Sequence, residues 1–504
     1  MKGLLSTAAS RAWLGVALVG LVIVVLVFAL SLMPRLGAGQ DVIDAARPAF
    51  TDERIAGTRS ASNLLSQYVD LADPLVSARG GANREVRSLV RLMRRRLDLS
   101  SEQVRRILRR EAPHTEALTR ALPLTAVSDE IPRLIAYLAT TLALTEEGLA
   151  ATLEQDFPAI SQALTALPNM TSAWSEVPGI EGLTRLSRGK PVRTVPGLRK
   201  YLRDDVVGRM VEHREDFQRL AAWGGVGYIP YLLLAIGFGL LAYGLLQARR
   251  ASQSPPGRLA WRVVVALGAV VVALVVVAQY LPRFAAGEAA ISGLEPVFET
   301  ERVRGLANGI DTVHDAIAFG GPIMTLRGGA SAEAPRLYRF VAERTGRSSA
   351  DVRRSLEARA PRTIALFDAL PLSAVAGEVT PLVAYLARAL RMPGDRVVAL
   401  LRRRTPGLAQ SLLAAPAVAI GWNAIPGTGG MMRFDRITPV HSMGEFDGYL
   451  RQDLVPVIVA EREHVGTLAS TWPPLGALAL VLLAVGLVVV GYGGLMTRLV
   501  ARRH

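Results

Sequence analysis

Four long runs of apolar residues interrupt an otherwise polar chain. None of them contains Asp, Glu, Lys, Arg or His, and each is near the ~20 residues that a helix needs to cross the hydrocarbon core of a bilayer. We therefore predict four transmembrane helices, at 13–33, 226–247, 263–281 and 475–496. The rest of the chain forms a tail at 1–12, a long segment at 34–222, a short loop at 248–262, a second long segment at 282–473 and a tail at 497–504.

Helical periodicity dominates the two long segments. The apolar residues Val86, Leu89, Val90, Met93 and Leu97 are spaced so that they line one face of a helix. Alternation of period two, which indicates strands, is scarce. We expect an all-α protein with almost no sheet, in which each long segment folds as a compact helical bundle.

The chain resembles itself when it is moved along by a fixed offset, which we call the repeat shift. Under this shift Trp13 falls on Trp261, and Trp174 falls on Trp422, an offset of 248 in both cases. The matching unit is a span, a long segment and a second span. The pattern predicts a tandem duplication that yields two homologous extracytoplasmic domains in parallel topology.

A shorter period of 45 residues lies inside each long segment. It places a Ser or Thr, such as Ser100 and Thr145, ahead of apolar residues four apart, and a Pro thirteen residues further on. Such a hydroxyl caps the first free N–H groups of a helix, and Pro ends the helix. The pattern therefore predicts short capped helices that stop at Pro.

The charge distribution predicts the orientation. The chain has 58 basic and 43 acidic residues, a net charge of +15, yet each long segment is close to neutral. By the positive-inside bias, we expect both termini and the short loop in the cytoplasm, both long segments outside it, and contact with the lipid bilayer. Nearly all basic residues are Arg, which suggests a GC-rich bacterium and its inner membrane. The nine basic residues that carry the bias are Lys2, Arg11, Arg249, Arg250, Arg258, Arg262, Arg498, Arg502 and Arg503.

Several classes of protein are disfavoured. The chain has no Cys, which excludes disulfides and thiolate metal sites. Its six His residues show no metal-binding spacing, and we expect no cofactor and no metal. The near-neutral long segments argue against nucleic acid as a partner. The uncharged spans argue against an ion-coupled carrier.

The most specific local motif is Trp-x-x-[Val/Ile]-Pro-Gly-x-x-Gly-x-x-Arg. It contains Trp174 and Arg185, and again Trp422 and Arg433. Two interpretations remain open. The Trp and Arg form a surface that binds a ligand or partner, or a buried Trp pins the loop to the bundle.

Two arginine features carry a similar pair of interpretations. Arg79 and Arg327 each precede Gly-Gly-Ala, a sequence that forms either an anion-binding nest or a simple turn. The arginine-rich stretch 84–110 either docks to lipid headgroups or an acidic polymer, or is a solvated face.

Three functions are compatible with these features to different degrees. The leading hypothesis is a non-catalytic, multi-pass envelope protein whose paired helical domains bind a protein partner or a lipid-like ligand, with a homo-oligomer left open. The alternative is a lipid-handling permease or transporter accessory subunit. The third, an envelope hydrolase using Ser187 and Lys190, lacks the companion motifs that such a Ser-x-x-Lys enzyme carries.

Overall fold

The computed structural model describes residues 8–76, 81–222, 226–251, 258–325, 329–470 and 474–502. Helix accounts for 82% of it, and no strand occurs among these residues, which confirms the prediction of an all-α protein. Two isolated bridges, Thr184 with Pro191 and Met432 with Pro439, are the extended pairings that we find in this part of the chain.

The α-helices follow one another closely along the chain. They are α1 Ala8–Ala29, α2 Leu32–Ala46, α3 Asp52–Val76, α4 Ala82–Leu97, α5 Ser101–Glu111, α6 Pro113–Ala121, α7 Leu124–Ser128, α8 Ile131–Leu142, α9 Glu146–Asp156, α10 Pro158–Ala173, α11 Val195–Lys200, α12 Gly208–Glu212, α13 Arg214–Ala221, α14 Ile229–Arg250, α15 Arg258–Val277, α16 Tyr280–Leu294, α17 Thr300–Met324, α18 Ala330–Thr345, α19 Ser349–Arg359, α20 Pro361–Ala369, α21 Leu372–Ala389, α22 Gly394–Arg404, α23 Pro406–Gly421, α24 Met443–Tyr449, α25 Val455–Ala460, α26 Arg462–Ser470 and α27 Leu475–Ala501.

The chain divides into two compact units. Unit 1 comprises Met1–Thr51, Arg209–Thr300 and Val457–His504, and unit 2 comprises Asp52–Gly208 and Glu301–Pro456. Each unit therefore draws on both of the long segments that the sequence analysis treated as separate bundles.

Unit 1 contains four helices that are long and apolar enough to span a membrane. They are Ser10–Ala29 of α1, Ile229–Arg250, Arg258–Val277 and Leu475–Ala501. Most of the large apolar side chains that are exposed in the protein lie on these helices, Phe28 and Leu480 among them. A solvent-facing helix would not tolerate so many, whereas lipid tails accommodate them. These four helices indicate a membrane protein.

Glycines bring these four helices into two close pairs. α1 packs on α14, and α15 packs on α27. A Cβ built on Gly244 of α14 would lie 2.6 Å from the backbone nitrogen of Ala17 in α1, so the two backbones touch there. Gly268 has the same role between α15 and α27, because a Cβ built on it would lie 2.8 Å from the backbone nitrogen of Val490. Such close approach allows van der Waals packing to hold the helices together, since the hydrophobic effect does not drive helix association in lipid.

One aromatic stack joins equivalent residues of the two halves within unit 1. The indole rings of Trp13 and Trp261 stack with centroids 3.7 Å apart and planes 15° apart, and both side chains are fully buried.

The first and third spans end earlier than expected. Ser31 and Gln279 adopt left-handed conformations, with φ of 48° and 51°. A left-handed residue interrupts the helical hydrogen-bond ladder. The predicted spans 13–33 and 263–281 therefore each include a break, after which α2 and α16 begin.

Unit 2 interleaves the two long segments. α3 packs along α23, and α6 packs along α20, so each of these helix pairs takes one member from each segment. The hydroxyl of Tyr68 donates to the carbonyl of Ala316 at 2.9 Å, and its ring lies edge-on to the ring of Trp422. The two segments share one apolar core, which differs from the expected arrangement of one bundle per segment.

Candidate functional site

Carboxylate groups from the opposite segment cap four helices of unit 2. The helices α6, α10, α20 and α23 begin with Pro, and their own N-cap residues make no side-chain cap. Pro is suited to a first helical turn but leaves the next N–H groups without partners. Each of these helices therefore needs an acceptor from elsewhere in the fold.

Glu378 and Glu130 supply the acceptors for α6 and α20. Glu378 accepts hydrogen bonds from the backbone nitrogen and hydroxyl of Thr115, both at 2.8 Å. Glu130 accepts from the same two groups of Thr363, at 3.0 and 3.1 Å. Each also accepts from the preceding backbone nitrogen, that of His114 or Arg362. The negative charges lie where the helix dipoles are positive.

Glu333 and Glu85 do the same for α10 and α23. Glu333 accepts from the backbone nitrogens of Ala159 and Ile160 at 3.2 and 2.8 Å. Glu85 accepts from those of Gly407 and Leu408 at 3.1 and 2.7 Å. In every case donor and acceptor lie in different segments. Under the repeat shift, the contacts of Glu130 correspond to those of Glu378, and the contacts of Glu85 to those of Glu333, with the two segments exchanged. Reciprocal contacts of this kind are typical of a two-fold arrangement.

The two Trp residues of the local motif are interior side chains. Trp174 is 4% exposed, and its indole N–H donates to Asp73 at 2.8 Å. Trp422 is 3% exposed, and its six-membered ring fills the space in which Gly320 would otherwise carry a Cβ. The burial supports the interpretation in which the Trp pins the loop to the helices.

The two Arg residues of the motif are also engaged internally. Arg185 donates to Asp205 through Nε at 2.6 Å and to Asp204 through Nη2 at 3.1 Å. Arg433 holds Asp453 with two bonds, at 2.9 and 3.1 Å. These hydrogen bonds raise the pKa of both guanidinium groups. Asp205 and Asp453 lie in the π-helical turns Tyr201–Val207 and Leu450–Leu454, so the Arg side chains tie each loop to its turn.

The structure therefore does not present Trp174 and Arg185 as an open pair, since they contact different carboxylates. The glycines of the motif adopt positive φ, 70° at Gly179 and 81° at Gly427, which the tight loop requires. Arg79 and Arg327 lie outside the described residues.

The sequence analysis missed the carboxylates that hold these side chains. A signal was present for two of them, because Asp205 and Asp453 occupy equivalent places under the repeat shift, in the stretches Tyr-Leu-Arg-Asp-Asp and Tyr-Leu-Arg-Gln-Asp. Asp73 has Gly321 as its equivalent and gave no such signal.

The histidine–aspartate pair of His314 and Asp447 has no counterpart at the equivalent place of the other long segment. Nδ1 of His314 lies 2.7 Å from Oδ2 of Asp447, which is 8% exposed. Burial raises the pKa of the neighbouring Asp315. At the equivalent place in the other segment, Arg199 donates to the backbone carbonyl of Ser66.

No catalytic constellation completes this pair within the described part of the chain. His314 has no hydroxyl partner there, and no three His, Cys, Asp or Glu side chains in that part cluster closely enough to hold a metal. Ser187 and Lys190 lie on an exposed turn, closed by a hydrogen bond from the backbone of Arg185 to the carbonyl of Lys190.

Two apolar grooves open between the span helices of unit 1. The first has a volume of about 460 Å³, including the part open to the surroundings, and every residue lining it is apolar. The second has about 300 Å³ and is apolar apart from the hydroxyl of Tyr280. We call them groove A and groove B. Groove A is lined mainly by Ile23, Leu26, Val27 and Leu30 of α1 and Leu478, Val481, Leu482 and Val485 of α27, and groove B by Ile229, Leu232, Leu233 and Ile236 of α14 and Val270, Val271, Leu274 and Val275 of α15.

The grooves are equivalent positions of the two halves. Under the repeat shift, residues of groove A fall on residues of groove B, and Ile229, Leu233 and Leu482 line both grooves. The corresponding residues are Ile23, Leu26 and Val27 of groove A and Val271, Leu274 and Val275 of groove B. Both grooves therefore offer an apolar lining, in which the hydroxyl of Tyr280 is the one polar side-chain group.

Comparison with known proteins finds no family model that matches the chain and no similar curated protein or solved structure.

Proposed function

We propose that this chain is a non-catalytic, multi-pass protein of a bacterial inner membrane that binds a lipid-like ligand between its spans. The observation that carries the proposal is the matched pair of grooves A and B. The wall atoms of an apolar groove gain van der Waals partners when a lipid chain lies along it. The occupant with the right chemistry is a saturated or unsaturated acyl chain.

The proposed orientation rests on the charges that flank the spans. Nine basic residues on the two tails and the short loop favour a cytoplasmic location for these parts. Unit 2 then lies outside the cytoplasm. The contacts that recur under the repeat shift support an origin by tandem duplication, in which one anchored module came to pair with its own copy.

The proposal is tested by filling one groove at a time. Val481→Trp introduces a large ring in groove A, and Leu232→Trp does so in groove B. The control is Leu480→Trp on the same helix as Val481, because Leu480 is 58% exposed and does not line the groove. Native mass spectrometry of each purified protein counts the lipids that remain bound.

We expect each groove variant to lose one retained lipid relative to the control. Equal lipid counts in all three variants would refute the proposal. The same grooves suit a lipid-handling permease subunit, and the two functions differ in one assay. Accelerated lipid transfer between leaflets in proteoliposomes would favour the permease.

A second candidate function is binding of a protein partner by unit 2. α23 carries an exposed apolar stripe of Leu413, Ala417 and Ile420, of which Ile420 is 74% exposed. The equivalent positions of α10 are polar, so the fold does not require apolar side chains there; they are Thr165, Asn169 and Ser172. A photo-crosslinker at position 420 that captures a protein, while one at 172 does not, would support this function. No capture at either position would reject it.

A further inference from the structure

Three helices of unit 2 carry a concentrated positive charge. α4, α5 and α22 together hold fourteen arginines and four acidic residues, a net charge of +10. All fourteen arginines are exposed. We call this surface the basic face, and its arginines are Arg84, Arg87, Arg91, Arg94, Arg95, Arg96, Arg105, Arg106, Arg109, Arg110, Arg396, Arg402, Arg403 and Arg404.

The three helices are neighbours in the fold. α4 contacts both α5 and α22. Glu85 of α4 caps the start of α23, which follows α22 directly, and this bond holds α4 beside the end of α22. The charge of α22 comes from the other long segment, so the face exists only because the two segments interleave.

Most of these arginines have no anionic partner in the described part of the protein. Arg106 and Arg110 pair with Glu102 and Glu111, both at the surface. Arg91 bonds only to groups of its own helix. A cluster of exposed guanidinium groups without counter-charges raises the local potential and is costly unless anions gather there.

The fold itself does not require this charge, because the helices that match these three under the repeat shift are not basic. The equivalent helices α18, α19 and α9 hold six arginines and eight acidic residues, a net charge of −2. α9, the counterpart of α22, has four acidic residues and no basic one.

Five of the six arginines of that counterpart face have a carboxylate or aromatic partner. Arg353 pairs with Asp368 and Arg354 with Asp351. The remaining contacts are with aromatic rings: Arg336 lies over Phe157, Arg344 over Phe340 and Arg359 over Tyr137. The basic face therefore differs from its twin both in charge and in the availability of its arginines.

The composition of the face selects the kind of anion. Insertion into a bilayer uses exposed aromatic or aliphatic side chains among the basic ones, and none of the large exposed apolar side chains of the described residues lies on α4, α5 or α22. Single-stranded nucleic acid stacks its bases on exposed aromatic rings, and the sequences of these helices contain none. The basic face can therefore recognise an anion only by charge and hydrogen bonding.

We propose that the basic face binds a linear polymer of phosphate groups on the side of the membrane that unit 2 faces. The planar guanidinium group donates two parallel hydrogen bonds to a phosphate, and the face uses Arg at every basic position. α4 alone, with 16 residues, extends about 24 Å, so several phosphates of one chain contact it together. This inference does not depend on the occupancy of the grooves.

The test uses the full chain in nanodiscs of zwitterionic lipid, so that the basic tails find no anionic lipid. The probe is fluorescently labelled inorganic polyphosphate, titrated at several salt concentrations. The test variant combines Arg87→Gln, Arg95→Gln and Arg402→Gln. The control variant removes three exposed arginines of the counterpart face, Arg339→Gln, Arg344→Gln and Arg354→Gln, and so has the same net charge.

We expect the test variant to bind at least about tenfold more weakly, and the slope of log affinity against log salt to fall by about 2, since each phosphate contact contributes about 0.7. The control variant should stay within about twofold of the wild-type protein. Equal losses in both variants would overturn the proposal, because net charge alone would then explain binding. Equal affinity for polyglutamate, stronger capture of anionic lipid vesicles, or no binding at low salt would overturn it as well.

Discussion

Removal of the Glu130 carboxylate tests the capping between segments. In Glu130→Ala, the backbone N–H groups of Arg362 and Thr363 and the hydroxyl of Thr363 lose their acceptor at once. Thr363 is fully buried and Glu130 is 5% exposed, so water does not replace the carboxylate freely. The start of α20 would be left with uncompensated donors.

The magnitude follows from these contacts. Loss of a helix cap costs about 0.5–2 kcal/mol, and a buried donor left without a partner costs about 1–3 kcal/mol. Because these contributions overlap, we expect about 3 kcal/mol of destabilisation for Glu130→Ala. Glu130→Gln retains an acceptor oxygen and loses the charge near the helix dipole, which is worth about 1 kcal/mol.

The assay is chemical unfolding of the full chain in detergent, combined with hydrogen exchange of the first turn of α20. The control is Glu357→Ala, since Glu357 is exposed and has no described hydrogen bond. Glu378→Ala, which uncaps α6, should resemble Glu130→Ala. If Glu130→Ala and the Glu357 control have the same free energy of unfolding and the same exchange rates in α20, this carboxylate does not hold the segments together.

Three further predictions concern other parts of the molecule. Gly244→Leu should separate α1 from α14 and lower the thermal unfolding temperature of the protein in detergent, whereas the same change at Gly239, which has open space around it, should have little effect. Glu288 accepts from the backbone nitrogen of Gly476, in the first turn of α27, at 3.0 Å. Its equivalent Gln40 accepts through its amide oxygen from the backbone nitrogen of Val226, just before α14. Glu288→Gln should therefore be tolerated, and Glu288→Ala should speed hydrogen exchange at the start of α27. Hydrogen bonds from Thr438 lower the pKa of Asp435 to about 2. The turn should therefore keep its hydrogen-exchange protection as pH falls below the ordinary carboxyl range, and lose it near pH 2. In Asp435→Ala the turn should lack that protection already at neutral pH.

Local signals in the sequence predicted the helices well. The hydroxyls of Ser100, Thr145 and Ser348 cap α5, α9 and α19 as expected, and each helix ends just before a Pro. The uncharged runs predicted four helices that are long and apolar enough to span a membrane, because the length and the composition of a helix can be read directly from the sequence. The breaks at Ser31 and Gln279 were not predicted, since a left-handed residue that is not Gly or Asn has no composition signal.

The interleaving of the two long segments could not be predicted from the pattern of either segment alone. Glu130 and Thr363 are far apart in the chain, and a Glu in a helical pattern is ordinarily a surface residue. One clue existed: Glu130 matches Glu378 under the repeat shift, as Glu85 matches Glu333, although neighbouring polar positions differ. Polar residues that recur at matching places of the two long segments indicated a shared structural task, but the sequence did not identify their partners.

The candidate site shows the same limit. The motif with Trp174 and Arg185 was specific enough to be found twice, and it left open either a binding surface or a buried Trp that pins the loop. Burial decides between them, and burial depends on contacts such as that of the Trp174 indole with Asp73, which is distant in the chain. The grooves were not predicted because the same types of apolar residue line a groove and face lipid.

The central claim is that the two long segments build one unit together, and a disulfide tests it most directly. A Cβ built on Gly407 lies 3.0 Å from the Cβ of Pro74, within reach of a disulfide after slight adjustment, and the chain has no natural Cys to compete. The measurement uses Pro74→Cys with Gly407→Cys in a chain that carries an inserted protease site at 252–257. After cleavage, a non-reducing gel should show the two halves joined as one band that separates on reduction. Halves that separate without reductant would contradict the interleaved fold.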